Sequence, residues 1–165
     1  MAVLVAYASK HGSTRRIAEA IGARLRDRGI DADVRPVGEE DGVDTYEALV
    51  IGSAVYLGAW LKEAVAFLDR HADAMIRVPT WLFSSGPTAD DPMELAVSAK
   101  VRQRLDALGA RDHHLFRGAL DPRQLGLLER TAIRAAKSPI GDHRDWLDVE
   151  RWADEIAAQL LASRD

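Results

Sequence analysis

The sequence contains no cysteine. That absence excludes disulfides, iron–sulfur clusters, zinc–cysteinate sites and thiol catalysis. Redox chemistry in this chain would therefore need an organic cofactor or another metal. No apolar run approaches the roughly 20 residues of a spanning helix. The start, Met1 to Tyr7, is apolar only briefly and lacks the basic flank of a secretory signal, so a cytoplasmic protein is expected. A basic footprint is missing as well: 22 basic against 26 acidic residues leave a net charge of −4, which argues against a nucleic-acid partner. Repeats, low-complexity tracts and linkers are absent. What is present is 165 residues, 47% of them apolar, enough for a packed core and suited to one domain over 1–165.

Short apolar runs alternate with longer amphipathic segments. Ala2–Tyr7 reads as a strand buried on both faces. Ile17, Ala18, Ile21 and Leu25 give residues 14–28 a helical stripe, which Gly29 can close. Asp31–Val37 reads as a less apolar edge strand and Ala48–Ser53 as a second buried one. Residues 60–75 predict a helix, Pro79–Ser84 a strand, 93–108 a helix closed by Gly109, and His114–Leu120 a fifth strand. A last helix starts near Trp146, with Asp145 as its N-cap and Asp148 completing a weak capping box. Five strands alternating with helices predict an α/β three-layer sandwich. Its parallel sheet takes the order 2-1-3-4-5, and ligands bind beyond the carboxyl ends of the strands.

The residues just after each central strand are therefore the ones to read. After the first comes Ser9-Lys10-His11-Gly12-Ser13-Thr14, then a helix. Free N–H groups and the dipole at a helix start favour an anion. Ser9, Ser13 and Thr14 can add hydroxyl donors, and Gly12 permits close backbone approach. The plainer alternative is that Ser13 merely caps the helix. The glycine patterns of dinucleotide folds and P-loops are both absent, so a monophosphate suits the loop better than a triphosphate. A phospho-acceptor receiver domain would need carboxylates at these strand ends. Ala8-Ser9 and Gly52-Ser53 supply none.

This loop resembles the FMN phosphate loop of flavodoxins, a Thr/Ser-x-Thr-Gly-x-Thr pattern that Ser9, Gly12 and Thr14 fit. The resemblance implies FMN as cofactor, with its ring flanked by the two other strand-end loops. One is Ala54, Val55, Tyr56, Leu57 and Gly58, where Tyr56 could stack. The other is Ser84, Ser85 and Gly86. Asp90 and Asp91 read as solvated or capping residues, and His113 and His114 as structural groups remote from the site.

Between the fifth strand and the last helix lie 24 residues, Asp121 to Arg144, a length that is often functional. Within 123–137, Arg123, Arg130, Arg134 and Lys137 fall on one stripe of a helix, with Leu125, Leu128, Ala132 and Ala136 opposite, and the net charge is +3. Such a helix could meet an acidic substrate or an anionic membrane surface, or pack its leucine face on the domain. The insert, with Val50-Ile51-Gly52, Phe67 to Ala72, Gly118 to Leu120 and Trp152 to Ala157, resembles the bacterial menaquinone-dependent protoporphyrinogen IX dehydrogenases. That likeness implies a flavin enzyme that oxidises a porphyrinogen and passes electrons to a membrane quinone. Departures from the family lie at Tyr56-Leu57, Asp90-Asp91 and the leucine-rich insert. A flavodoxin-type electron carrier, an FMN-dependent quinone reductase with another substrate, and a module that has lost its flavin therefore stay open. No residue is singled out as a catalytic acid or base, and no metal site is expected.

Overall fold

The computed structural model describes residues 1–39, 42–56, 58–86, 99–135 and 141–163. β1 (Ala2–Ala8) leads through Gly12 into α1 (Ser13–Asp27). Ile17, Ala18, Ile21 and Leu25 are fully buried, as their spacing requires. β2 (Asp31–Pro36), β3 (Ala48–Tyr56) and the short β4 (Ala59–Trp60) follow, then α2 (Lys62–Arg70), α3 (Ala72–Arg77) and β5 (Thr80–Gly86). α4 (Ala99–Ala107), β6 (Asp112–Arg117), β7 (Ala119–Leu120), α5 (Leu127–Ala135), β8 (Gly141–Asp142) and α6 (Trp146–Ala162) complete the chain.

Five strands run parallel in the order β2-β1-β3-β5-β6, with β4 antiparallel to the end of β3. This is the expected doubly wound order. Val5 lies opposite Val50, and Val50 opposite Trp81. Alternate side chains enter two cores. Val3, Val5, Val50, Trp81 and Phe83 pack against α1 and α6, where Trp152, Ile156 and Leu160 form the buried stripe. Leu4, Leu49, Ile51 and Leu82 pack against Phe67, Leu68 and Met75 of α2 and α3. Burial on both faces is the reason the central strands read as continuous apolar runs. On the first face, Arg24 grips Asp154 of α6 through Nε and Nη2 at 2.7 and 2.8 Å, and Arg28 adds a contact at 2.9 Å. The Asp145 carboxylate caps α6 by accepting from the N–H groups of Leu147 and Asp148. Asp148 completes no capping box, because its carboxylate instead meets His114 Nε2 at 2.9 Å.

Several boundaries differ from expectation. β3 runs on to Tyr56, and after Gly58 (φ 72°) β4 pairs back on it, Val55 with Trp60 and Tyr56 with Ala59, where an open loop was expected. The helix expected over 60–75 is two helices broken at His71. The expected fifth strand divides at Gly118. Its N–H bonds to Gly86 O at the last residue of β5, and beyond that point the described residues offer no neighbour to pair with. Ala119 and Leu120 turn aside to pair with Asp142 and Gly141. Of the helix expected over 93–108, residues 93–98 lie outside the described residues, as do Asp90 and Asp91. The insert is not one helix from residue 123. Pro122–Gln124 is a single 3₁₀ turn and α5 begins at Leu127. Leu125 is buried, but Leu128 is 88% exposed, so of the two leucines of the expected apolar face only Leu125 packs on the domain. Lys137 and Ala136 lie outside the described residues.

Gly52, at the middle of the sheet, has a packing role. A Cβ there would fall 2.0 Å from Cζ of the fully buried Phe83. Gly52→Ala is therefore expected to destabilise the chain by about 1–3 kcal/mol through overpacking, read as a lower urea midpoint. An unchanged midpoint would mean that the Phe83 ring has room to move.

Candidate functional site

The loop from β1 to α1 is built to receive an anion. Gly12 is the N-cap, left-handed at φ 81°, and no side chain caps the helix. Nor does any acidic residue stand in its first turn. The first amides of α1 thus point outward without a side-chain acceptor, at the positive end of the helix dipole. Ser13 is not the cap, because its Oγ accepts from the N–H of Ala119 at 3.0 Å. Ser9 Oγ accepts from the N–H of Gly12 at 3.0 Å, which closes the loop on itself. Each hydroxyl keeps its own O–H for donation. Thr14 is buried beneath the loop. Uncapped amides, hydroxyl donors and a neighbouring lysine suit a phosphate monoester.

Lys10 and His11 reach the insert. The Lys10 ammonium pairs with the Glu129 carboxylate and lies 4.9 Å from the centre of the Tyr56 ring. His11 Nε2 stands 3.6 Å from Glu129 Oε2, too long for a hydrogen bond. Glu129 also accepts from the N–H of Gly126 at 3.0 Å. As the third residue of α5 it thereby supplies the carboxylate half of a capping box. The hydrogen bond from Lys10, then that from Gly126, holds Glu129 below the usual carboxylate range, and the same ion pair raises Lys10. Sequence reasoning counted Glu129 only as the one acid of a basic segment.

At the second strand end, Ala54, Val55 and Tyr56 finish β3 and Gly58 makes the turn, while Leu57 lies outside the described residues. Val55 is turned into the core beside α2. The Tyr56 hydroxyl is buried and meets no partner among the described residues.

At the third, Ser84 is not free to meet a ligand through its hydroxyl. Ser84 Oγ accepts from Trp60 Nε1 at 2.8 Å and bonds His113 Nε2 at 2.8 Å. His113 is therefore part of the wall behind the site and not remote from it. Burial pushes its pKa down and keeps the ring neutral. Ser85, on the opposite face of β5, and Gly86 stand at the strand end.

A cleft of about 660 Å³ opens between the first turn of α1 and the β7–β8 excursion, lined in part by Arg15, Arg16, Arg123, Gln124 and Arg144. Arg15 pairs with Glu19 and Arg144 with Asp142. Arg144 pushes Asp142 down to about 2. Arg16 and Arg123 pair with no carboxylate among the described residues. Of the four insert cations singled out by sequence, Arg123 enters this cleft. Arg130 and Arg134 are exposed on α5, and Lys137 is outside the described residues.

Comparison with known proteins agrees with this arrangement. A family model described as flavodoxin domain matches residues 4–146. Protoporphyrinogen IX dehydrogenase (quinone) of Escherichia coli K12 is 30% identical over 94 residues, 56% of this chain and 52% of that protein. The chain thus spans about half the length of the curated relatives it matches. A flavodoxin from the domain Archaea superposes with a TM-score of 0.64 at 17% identity, covering 96% of this chain and 98% of that one. Rubredoxin oxygen:oxidoreductase of Desulfovibrio gigas gives 0.65 at 16% identity, covering 98% of this chain and 36% of the other. These two likenesses show the fold. Residues 4–146 take in every strand-end loop and all of the cleft: the chain belongs to the flavodoxin-domain family, and its cofactor is FMN.

Proposed function

We propose that this flavodoxin-type oxidoreductase oxidises a porphyrinogen and delivers the electrons to a quinone. The observation that carries the substrate half is the cleft against the phosphate loop, which four arginines line together with the carboxylates of Glu19, Asp121 and Asp142. Arg16 and Arg123 are placed to receive carboxylates, and guanidinium groups bind carboxylates in two-pronged fashion. The E. coli relative, named for this reaction, supports the same reading.

Ser9, Ser13, Thr14 and the first amides of α1 hold the FMN phosphate, with Lys10 and His11 beside it. Gly12 sets the turn. Ala54, Tyr56, Gly58 and Ser85-Gly86 would line the ring, with Ser84 bracing β5 from behind through Trp60 and His113. When bound, FMN supplies two-electron chemistry with proton uptake and release. A quinone dissolved in lipid must be reached from the bilayer surface. Among the described residues no helix is long and apolar enough to cross a membrane. At the start of α5, however, Leu127 and Leu128 are 83% and 88% exposed, next to Arg123 and Arg130. Exposed leucines flanked by arginines fit peripheral contact with an anionic surface.

Three outcomes are expected. The purified chain with FMN should form porphyrin anaerobically from protoporphyrinogen and a menaquinone analogue. Flavin reduction by a reductase without porphyrin formation would return it to the class of electron carriers. Ser9→Ala combined with Thr14→Ala should weaken FMN binding about tenfold or more through lost donors to a charged group, seen by flavin fluorescence titration. Unchanged affinity would refute the cradle. Leu127→Ser with Leu128→Ser should lower partition onto phosphatidylglycerol vesicles at least about tenfold, given the value of burying two leucines. Equal partition would remove the membrane contact.

A further inference from the structure

Glu129 is an anion placed on an anion site. It comes from the insert, and it pairs with the Lys10 ammonium of the phosphate loop and stands 3.6 Å from His11 Nε2. Its position is not an accident of a mobile surface side chain. Its other bond, from the N–H of Gly126, pins it as the third residue of α5, and its side chain is only 18% exposed. The insert is in turn held to the same loop by the bond from Ala119 to Ser13 Oγ. A phosphate monoester brings a charge of about −1.5 to −2 at neutral pH. It must share the Lys10 ammonium that Glu129 holds, and two anions on one cation repel.

We infer that Glu129 is a specificity-determining residue of the cofactor site, an internal anion that competes with the phosphate of the flavin and makes the position of the insert depend on whether that phosphate is present. This rests on the reading of residues 9–14 as the phosphate loop. Coupling of this kind is reciprocal. If Glu129 weakens phosphate binding, bound phosphate weakens the hold of Glu129 on Lys10 and loosens α5 from the loop. A flavin without phosphate leaves the contact intact. Glu129 thus does two separable things: it caps α5 through a bond that a glutamine also makes, and it opposes the phosphate through a charge that a glutamine lacks.

The test is Glu129→Gln in the full chain, titrated with FMN and with riboflavin by flavin fluorescence at low and high salt. The expected result is an FMN affinity raised about three- to tenfold, the size of one like charge removed at close range in a hydrated site. The gain should be largely lost near 1 M salt, where screening acts within about 3 Å. Riboflavin affinity should not change, and far-UV circular dichroism should match the parent. A second readout uses the unaltered chain: FMN, but not riboflavin, should speed tryptic cleavage after Arg130 and Arg134. FMN affinity that is unchanged or lowered by Glu129→Gln, an equal gain for riboflavin, or protection of the insert by FMN would overturn the inference. Failure of the unaltered chain to bind FMN would overturn the cofactor site as well, so the two failures are distinguishable.

Discussion

Burial of β3 on both faces is the constraint from which the rest follows. Leu49, Val50 and Ile51 have no solvent exposure, and at Gly52 the Phe83 ring occupies the place of a side chain. A polar group seated along such a strand must find a partner inside the protein, as the buried Ser53 does by accepting from the N–H of Leu61 and donating to Ala54 O. Chemistry is therefore confined to the strand ends. At those ends the residues change character abruptly: Ala8 gives way to Ser9, Ile51 to Gly52-Ser53, and Phe83 to Ser84-Ser85. The site is where the sheet stops being able to bury what the sequence supplies.

The β7–β8 pairing then decides what stands over the site. Because Ala119 and Leu120 pair with Asp142 and Gly141, the excursion between them leaves and returns at one point, beside the start of α1. The Ser13–Ala119 bond ties that point to the phosphate loop. Arg144, with a side chain only 7% exposed, lies 4.8 Å over the Trp146 ring and binds Asp142 on its other side. The base of the excursion is thus anchored to α6 as well. A segment that looks like an appendage in sequence is a wall of the site.

The fold was largely legible because burial on two faces leaves an apolar run and burial on one face of a helix leaves a stripe. Ile17 to Leu25 and Val149 to Leu160 follow the stripe residue by residue. The uncapped start of α1 was legible because strand, loop and helix start lie within a few residues, and its reading as a phosphate cradle is part of the proposal. The β3–β4 hairpin was not, since Tyr56-Leu57-Gly58 reads equally as a loop or as a turn. Ser84 could have been read correctly. It shares strand parity with Leu82, which faces α2, while Ser85 shares it with Phe83. Its hydroxyl was bound to point into the wall. Glu129 left no such signal. Its partner Lys10 lies at the other end of the chain, and only the tertiary fold brings them together.

Glu129 also changes what the charge of the insert means. Counted as a block, residues 123–137 carry +3, and a basic helix beside a phosphate site suggests that the helix draws the anion in. The geometry separates those charges. The one acid faces the loop, while Arg130 and Arg134 are exposed. Of the arginines that line the cleft, Arg16 is on α1 and Arg123 lies within the excursion ahead of α5, so neither is on its helix. Long-range attraction grows with summed charge, but binding at contact distance follows which charge is nearest. On the proposed reading the insert favours an anionic surface through its outer face and opposes an anion at its inner one, because its charges are sorted by face.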